Sequence, residues 1–460
     1  MGRIALCGVF DIPNYGDHLF PLVFRNELSQ RGYDGDVVLF SPFAARESFV
    51  ENSQVFSLDD MERMHREQPF DAIVVGGGEI IHWHRFGQKL TFGSDDYTDY
   101  PMDKVWLVPC FMKMKYGVKL LWNAPGIPFD FEVSREIAHL VFDNVDYLSV
   151  RNAFSRRVLI DNGIEPQRIT QVPDTGFSLR SIASGRELRE AKDAVFPGVE
   201  RYAVFHCNRF IPSDAIPGAV DTLTQLHERG YRIVLLPLAY THGDENILQE
   251  VRSRLPFEAL MARDPLSLIE IIGVLANCSV YVGTSLHGSV TASVFGRTIV
   301  GFDYQQTKKT RDLYDQLGYG RYYVTDSRRL CATTFEALES QSRFDFSGIQ
   351  DKIDRHFDTM LEFVSGREPG HENALDQASA FSDLVQGFFT HKSHVEGLNA
   401  RVRELDEALQ TNIGLVRLFD AQRQSYAHDC EVLKRDYDAL QTAVVNQPIQ
   451  TYRALKNKLR

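Results

Sequence analysis

Short, continuous apolar runs alternate along this chain with segments whose apolar residues recur at helical spacing. Arg3–Phe10 is a β-rich run ending in the loop Asp11–Asp17, and a helical pattern follows from His18 to Gln30. Val37–Phe40, Phe70–Val75, Lys119–Ala124 and Tyr147–Val150 repeat the strand signal, with a helix predicted over Ala153–Asn162. The runs do not alternate between apolar and polar positions, which is the signature of parallel strands covered on both faces. After a polar, helical stretch at Ser181–Gly198 the pattern restarts. Strands are predicted at Tyr202–Phe205, Arg232–Pro237, Ser279–Val282 and Thr298–Phe302, and helices at Val220–Arg229, Pro265–Leu275 and Ser285–Phe295. The expectation is an α/β protein with two doubly wound, Rossmann-like halves, 1–180 and 181–364. They face a cleft, with ligands at the carboxyl ends of the strands.

The last part changes character. Residues 365–394 read as a linker, Ser365–Asn373, followed by an amphipathic stripe of Phe381, Leu384, Val385, Phe388 and Phe389, which is expected to pack on the body. Over 395–446 the apolar residues fall into a heptad register from Val395 through Leu398, Val402, Leu405 and Leu409 to Leu440 and Val444, broken only at Asn412 and Arg423. Such a run of roughly seven heptads predicts a coiled coil, about 75 Å long at the standard helical rise. It suits homo-oligomerisation or docking of a partner; a long helix folded back on the body is the alternative.

Composition narrows the class. A formal net charge of −12 argues against broad nucleic-acid binding. Six cysteines without paired spacing give neither a zinc pattern nor a disulfide framework. The apolar N-terminal run is too short for a signal peptide, and the longest apolar stretch, Ile269–Val282, is too short to span a bilayer. The expected location is cytoplasmic, with association to a membrane surface left open.

Candidate chemistry gathers where strands end. Val280–Gly283 runs into Thr284-Ser285-Leu286-His287 and then a small-residue helix. Gly283 permits close backbone approach. Thr284 or Ser285 can cap the helix, whose first N–H groups are then free for an anion. His287 in the first turn faces the same place, and a proton donor beside an anion cradle suits phosphoryl, carboxyl or enol-phosphate chemistry. A packing histidine in a strand-to-helix turn is the plain alternative. Asn14-Tyr15-Gly16-Asp17 follows the first strand and suits a ligand loop, or a turn in which Asp17 caps the next helix. Gly76-Gly77-Gly78 leaves backbone N–H groups open to a phosphate or a sugar hydroxyl, without matching a dinucleotide fingerprint or a P-loop. Arg151 ends the fifth strand and has the planar fork that carboxylates and phosphates fit. Asp174 lies in a Pro-Asp turn, Arg209 ends the strand that opens the second half, and Lys308 and Lys309 follow Thr298–Phe302.

Taken in order, Asn14–Asp17, Gly76–Gly78, Val150-Arg151, Pro173-Asp174, Ser285-Leu286-His287 and Lys308 resemble the polysaccharide pyruvyl transferase family over about residues 1–325. The resemblance implies a two-lobed fold like that of the B-type (GT-B) glycosyltransferases. It also implies transfer of a pyruvyl group from phosphoenolpyruvate onto two hydroxyls of a glycan or lipid-linked glycan, giving a cyclic ketal and phosphate. On that reading His287 is the general acid. Arg151, Lys308 and Arg209, with the turn at Gly283 and Ser285, bind the donor. Asn14, Asp17, Gly77, Gly78 and Asp174 hold the acceptor. No metal and no cofactor beyond phosphoenolpyruvate as co-substrate is required. Ser285 departs from the pattern, since many relatives carry arginine there. The rivals are a GT-B-type glycosyltransferase using a nucleotide sugar, for which only Asp303 and Asp312 stand as late carboxylates, and a non-catalytic coiled-coil assembly protein.

Overall fold

The computed structural model describes residues 2–45, 54–83, 86–89, 96–131, 135–240, 243–340, 344–366, 379–387, 401, 404, 407, 422–425 and 427–439. The first half runs β1 (Arg3–Cys7), α1 (Tyr15–Gln30), β2 (Asp36–Ser41), β3 (Val55–Ser57), α2 (Met61–Glu67), β4 (Ala72–Gly76), β5 (Phe86–Lys89), β6 (Asp96–Tyr100), α3 (Lys104–Tyr116), β7 (Lys119–Asn123), α4 (Arg135–Asp143), β8 (Leu148–Val150), α5 (Ala153–Asp161) and β9 (Ile169–Gln171). The second continues with α6 (Gly185–Val195), β10 (Tyr202–His206), α7 (Ile216–Glu228), β11 (Arg232–Leu235), α8 (Asp244–Ser253), α9 (Leu268–Asn277), β12 (Val280–Gly283), α10 (Leu286–Val294), β13 (Thr298–Phe302), α11 (Lys308–Gln316), β14 (Tyr323–Val324), α12 (Ser327–Glu339) and α13 (Ser347–Ser365).

Two five-stranded sheets carry these elements, in the orders β3-β2-β1-β4-β7 and β11-β10-β12-β13-β14. Every pairing within them is parallel. Central strands are apolar throughout because both faces are covered: Ile4, Leu6, Ile73, Val74, Val204, Val280 and Val282 have no exposed surface. The chain winds outward from β1 to β2 and β3, then resumes beside β1 at β4. It does the same in the second sheet from β10 to β11, resuming at β12. Each sheet therefore has a point where strand order reverses, and the crevice outside it is where such sheets bind ligands.

Three features differ from or refine the expected organisation. Strands β5 and β6, which no apolar run predicts, pair antiparallel in a sheet of their own. Helix α13, within the expected second half, packs on the first sheet: His356 bridges Tyr147 Oη at 2.8 Å and Asn123 Oδ1 at 2.9 Å. Arg31, at the C-terminal cap of α1, pairs with Asp354 and Asp358 of α13. The chain thus returns to where it began, joining the halves into one unit, Met1–Ser382.

A second unit spans Asp383–Arg460. Of the stripe before the heptads, Phe381 is buried and Leu384 exposed, while Phe388 and Phe389 lie outside the described residues. Most of the predicted coiled coil also lies outside them, including Val395, Leu398, Val402, Leu405, Leu409, Asn412, Val416, Phe419, Tyr426, Leu440 and Val444. Residues 427–439 are helical, and Leu433 and Tyr437 are 67% and 63% exposed. Among the described residues no helix is long and apolar enough to cross a membrane.

Candidate functional site

The carboxyl ends of β1, β4, β10 and β12 line one cavity of about 360 Å3, and these are the four strands that flank the two reversal points. Its wall includes Asn14, Asp17, Gly78, Glu79, Arg151 and His287.

The β12–α10 turn behaves as its sequence suggests. Ser285 is the N-cap, in extended conformation, and its hydroxyl accepts the Gly288 N–H at 3.2 Å. His287 then sits in the first helical turn, with 13% of its side chain exposed. Its ring meets the first half directly. A Cβ on Gly16 would lie 2.1 Å from His287 Nδ1, so only glycine fits there. Phe20 packs edge-on against the imidazole at 5.3 Å. Tyr15 Oη and Thr291 Oγ1, 2.7 Å apart, fasten α1 to α10 beside it. The β1–α1 loop is also held by backbone bonds from Tyr15 N–H to Leu238 C=O and from Tyr240 N–H to Pro13 C=O.

Asn14, not Asp17, caps α1, through the Gly16 N–H at 3.1 Å. That leaves the Asp17 carboxylate for the cavity. Gly78, at φ +69°, adopts a backbone that L-residues rarely do, and a side chain there would strike Asp17 Oδ1 at 2.7 Å. The glycine turn of Gly77 and Gly78 thus makes room for α1 side chains.

Arg151 ties the ionic groups together. Its guanidinium lies 3.3 Å from Asp174 Oδ2 and 3.5 Å from Glu79 Oε1. Asp174 Oδ2 is also 3.4 Å from His287 Nε2, and its Oδ1 accepts the Gly176 N–H at 2.9 Å. Glu79 Oε2 accepts from Lys309 Nζ at 2.8 Å. Burial favours the neutral acid at Glu79 and Asp174, yet the cations outweigh it. Lys309 and Arg151 hold Glu79 at about 2, and His287 with Arg151 hold Asp174 at about 2. Asp17 goes the other way: burial pushes it up to about 6, with His287, Lys309 and Arg151 pulling through space against that rise. Arg151 Nε has no acceptor among the described residues.

The structure thus gathers Asn14, Asp17, Gly78, Arg151, Ser285 and His287 around one cavity, with Asp174 in contact with His287 and Arg151. Gly283 ends β12 opposite His206 of β10. Two expected donor ligands sit elsewhere. Lys308 is exposed, its ammonium 4.0 Å over the Phe154 ring, and Arg209 is exposed, its guanidinium 5.0 Å from the centre of the Phe210 ring. The cation that lines the cavity is Lys309, one residue on. The residues alone offered both lysines, and the resemblance chose Lys308; the helical step at the start of α11 places Lys309 in the cavity instead. Glu79, which directly follows the three glycines and is not singled out in the sequence, emerges as the carboxylate bridging Arg151 and Lys309. Among the described residues no cluster of His, Cys, Asp or Glu has the makings of a metal site.

With this geometry in place, comparison with known proteins is informative. AmsJ of Erwinia amylovora, an amylovoran biosynthesis protein, is 24% identical over 230 residues, which is 45% of this chain and 54% of that protein. The chain therefore spans about half the length of this curated relative. The UDP-GlcNAc 2-epimerase of Methanocaldococcus jannaschii superposes with a TM-score of 0.53 at 12% identity, covering 78% of this chain and 99% of that one. The Neisseria meningitidis UDP-GlcNAc 2-epimerase gives 0.54 at 10% identity, covering 79% and 100%. These likenesses establish the fold, two parallel α/β sheets of the Rossmann, GT-B-like kind. The model of the family described as polysaccharide pyruvyl transferase matches residues 14–306, from the Asn14 loop past the His287 turn. On that match and these motifs, the chain belongs to the polysaccharide pyruvyl transferase family.

Proposed function

We propose that this protein acts in polysaccharide biosynthesis, transferring pyruvate from phosphoenolpyruvate to two hydroxyls of one sugar in a glycan or lipid-linked glycan. The observation that carries the reading is the placement of His287 in the first turn of a capped helix, within one cavity with Arg151 and Lys309. The donor bears a phosphate and a carboxylate. Helix N–H groups, a guanidinium with an unpartnered N–H and an ammonium match both.

The chemistry needs one proton delivered and two removed. His287 protonates the methylene carbon, making C2 electrophilic; Asp174, held ionised, orients the ring through Nε2. The first acceptor hydroxyl adds to C2, the C2–O bond to phosphate breaks, and the second hydroxyl closes the ketal. One acceptor proton restores His287 by way of Asp17, and the other leaves on phosphate. Asp17 suits that task because its pKa, about 6, lies near neutral pH. Asn14 and the Gly77–Gly78 turn flank it on the acceptor side. The protein works without a metal and in the cytoplasm, and the segment after residue 395 gathers copies or glycan-assembly partners.

Calorimetry tests the donor. Phosphoenolpyruvate titrated into wild type, Arg151→Ala and His287→Ala should bind wild type and His287→Ala but weaken markedly in Arg151→Ala. Binding of nucleotide sugars instead would make the protein a glycosyltransferase. Binding of neither would leave it an assembly protein.

A further inference from the structure

The half of the cavity wall supplied by β10 and the β11–α8 loop takes no part in the scheme above, yet it is built like a binding surface. We propose that it is a carbohydrate subsite, in which the Phe210 ring stacks on the apolar C–H face of the acceptor's pyranose ring while Asp244 and Thr284 accept that ring's hydroxyls. The inference rests on the reading that the acceptor is a sugar.

Phe210 lines the cavity and is 50% exposed. Leaving half a phenyl ring in water is unfavourable, and hydrogen bonds fix the backbone of the loop that carries it. Asn208 Oδ1 accepts the Phe210 N–H at 3.1 Å and the Tyr304 hydroxyl at 2.6 Å. Asn208 N–H reaches the same Tyr304 oxygen at 3.1 Å, and Asn208 C=O accepts the N–H of buried Ile211 at 3.1 Å. The loop is anchored at both ends and presents the aromatic ring between them.

Asp244 supplies the second observation. It has no exposed surface yet lines the same cavity. Oδ2 accepts from His206 Nε2 at 2.8 Å, Ala239 N–H at 2.7 Å and Leu238 N–H at 3.2 Å. Oδ1 has no partner among the described residues. A buried carboxylate oxygen without a donor is costly, and a ligand O–H is what it lacks. His206 extends the chain of bonds: its Nδ1 lies 3.1 Å from Thr284 Oγ1. With the Nε2 proton given to Asp244, Nδ1 accepts the Thr284 hydroxyl proton, which leaves Thr284 Oγ1, on the cavity wall near Tyr304, as an acceptor. Two acceptors and an aromatic ring, with a carboxylate that repels anions, select a neutral polyol. The anionic donor is left to the cations and helix α10 on the opposite side. The acceptor then bridges Phe210 and Asp17, bringing its hydroxyls to the His287 turn.

Saturation-transfer NMR with methyl β-galactoside, methyl β-glucoside and methyl α-mannoside, run with and without phosphoenolpyruvate and with UDP-GlcNAc as a control ligand, tests this. At least one glycoside should receive saturation on its ring C–H protons from wild type. Phe210→Ala should lose that transfer and weaken the Kd about tenfold, with Phe210→Trp restoring it. Thr284→Val should weaken it about fivefold, and Thr284→Ser should not. Phosphoenolpyruvate affinity should stay within about twofold in all four variants. No transfer from any glycoside to wild type, or transfer that Phe210→Ala leaves unchanged, overturns the subsite, as does a Phe210-dependent signal confined to the uracil protons of UDP-GlcNAc. Glycoside binding that needs Phe210 in a protein that ignores phosphoenolpyruvate supports the subsite and removes the proposed donor.

Discussion

The two sheets have the same plan and opposite chemistry at the same place. Each reverses its strand order beside its central strand, and in each the two strand ends at that point feed the cavity. In the first sheet, the turns after β1 and β4 supply carboxylates, Asp17 and Glu79. In the second, the end of β10 and the turn after β12 supply imidazoles, His206 and His287. Topology therefore fixes where side chains converge, and the residue types decide what they do there. The carboxylates differ again within the first half. Glu79 and Asp174 touch Arg151 and sit at about 2, while Asp17 meets its cations only through space and rises to about 6. Close cations, Lys309 with Arg151 at Glu79 and His287 with Arg151 at Asp174, outweigh burial; attraction at longer range does not.

The sharpest way to break the comparison is to erase the imidazole that faces the cations. His287→Ala should lower kcat by about a hundred- to ten-thousand-fold in a phosphate-release assay, as expected for loss of a general acid, while phosphoenolpyruvate still binds. His206→Ala should act through acceptor affinity instead. If both variants lose the same step, the two imidazoles do not divide the work. Removing the group that pairs the carboxylates comes next. Arg151→Ala leaves Asp174 and Glu79 without a mutual partner and should cost about 3 kcal/mol in denaturant unfolding. Donor affinity should fall with it. Arg151→Lys should recover stability better than donor binding, because a point charge cannot reproduce the fork.

The two aspartates then separate by pH. Asp17 has a folded pKa near 6, above its ordinary value of 3.8. The folded state therefore holds a proton that the unfolded state releases, and stability falls as pH rises from about 4 to 6. Asp174 has its pKa near 2, so its contribution is complete above about 4 and is lost as pH falls toward 2. Asp17→Asn should thus gain about 2 kcal/mol at pH 8 relative to wild type and gain little at pH 4. Asp174→Asn should lose about 2 kcal/mol at pH 7, a deficit that shrinks below pH 4. Denaturant melts at pH 3, 4, 6 and 8 decide it; equal shifts for the two variants at every pH would abolish the distinction.

Much of this was legible in the sequence because it is local. Continuous apolar runs marked the central strands to within about three residues, and Ser285-Leu286-His287 announced its own cap and first turn. Long-range properties were not legible. Nothing in the spacing says that α13 returns to the first sheet, since His356 pairs with residues more than two hundred positions away. Nor does a run of glycines reveal that it clears space for Asp17. Glu79 and Asp244 were hidden for the same reason: their partners, Lys309 and Arg151 for one and His206 for the other, come from distant strand ends. The small strand β3 and the β5–β6 hairpin escaped because segments of three to five residues are too short to mark a run of their own.

Lys308 and Lys309 give the smallest expected effect and the cleanest control. Both are basic, adjacent and at the start of α11, so composition and long-range field are the same for each. They differ by one helical step, about 100° of rotation. That step sends Lys308 to the face of the half-buried Phe154 ring, where an exposed ammonium contributes about 0.5 kcal/mol. It sends Lys309 into the cavity and onto Glu79. Lys309→Ala should therefore raise the KM for phosphoenolpyruvate about tenfold, and Lys308→Ala should leave it within about twofold. If the donor were held only by the summed positive field of the second half, the two variants would behave alike. A difference between them shows that the donor meets one ammonium at one place, the requirement for aligning its methylene carbon with His287.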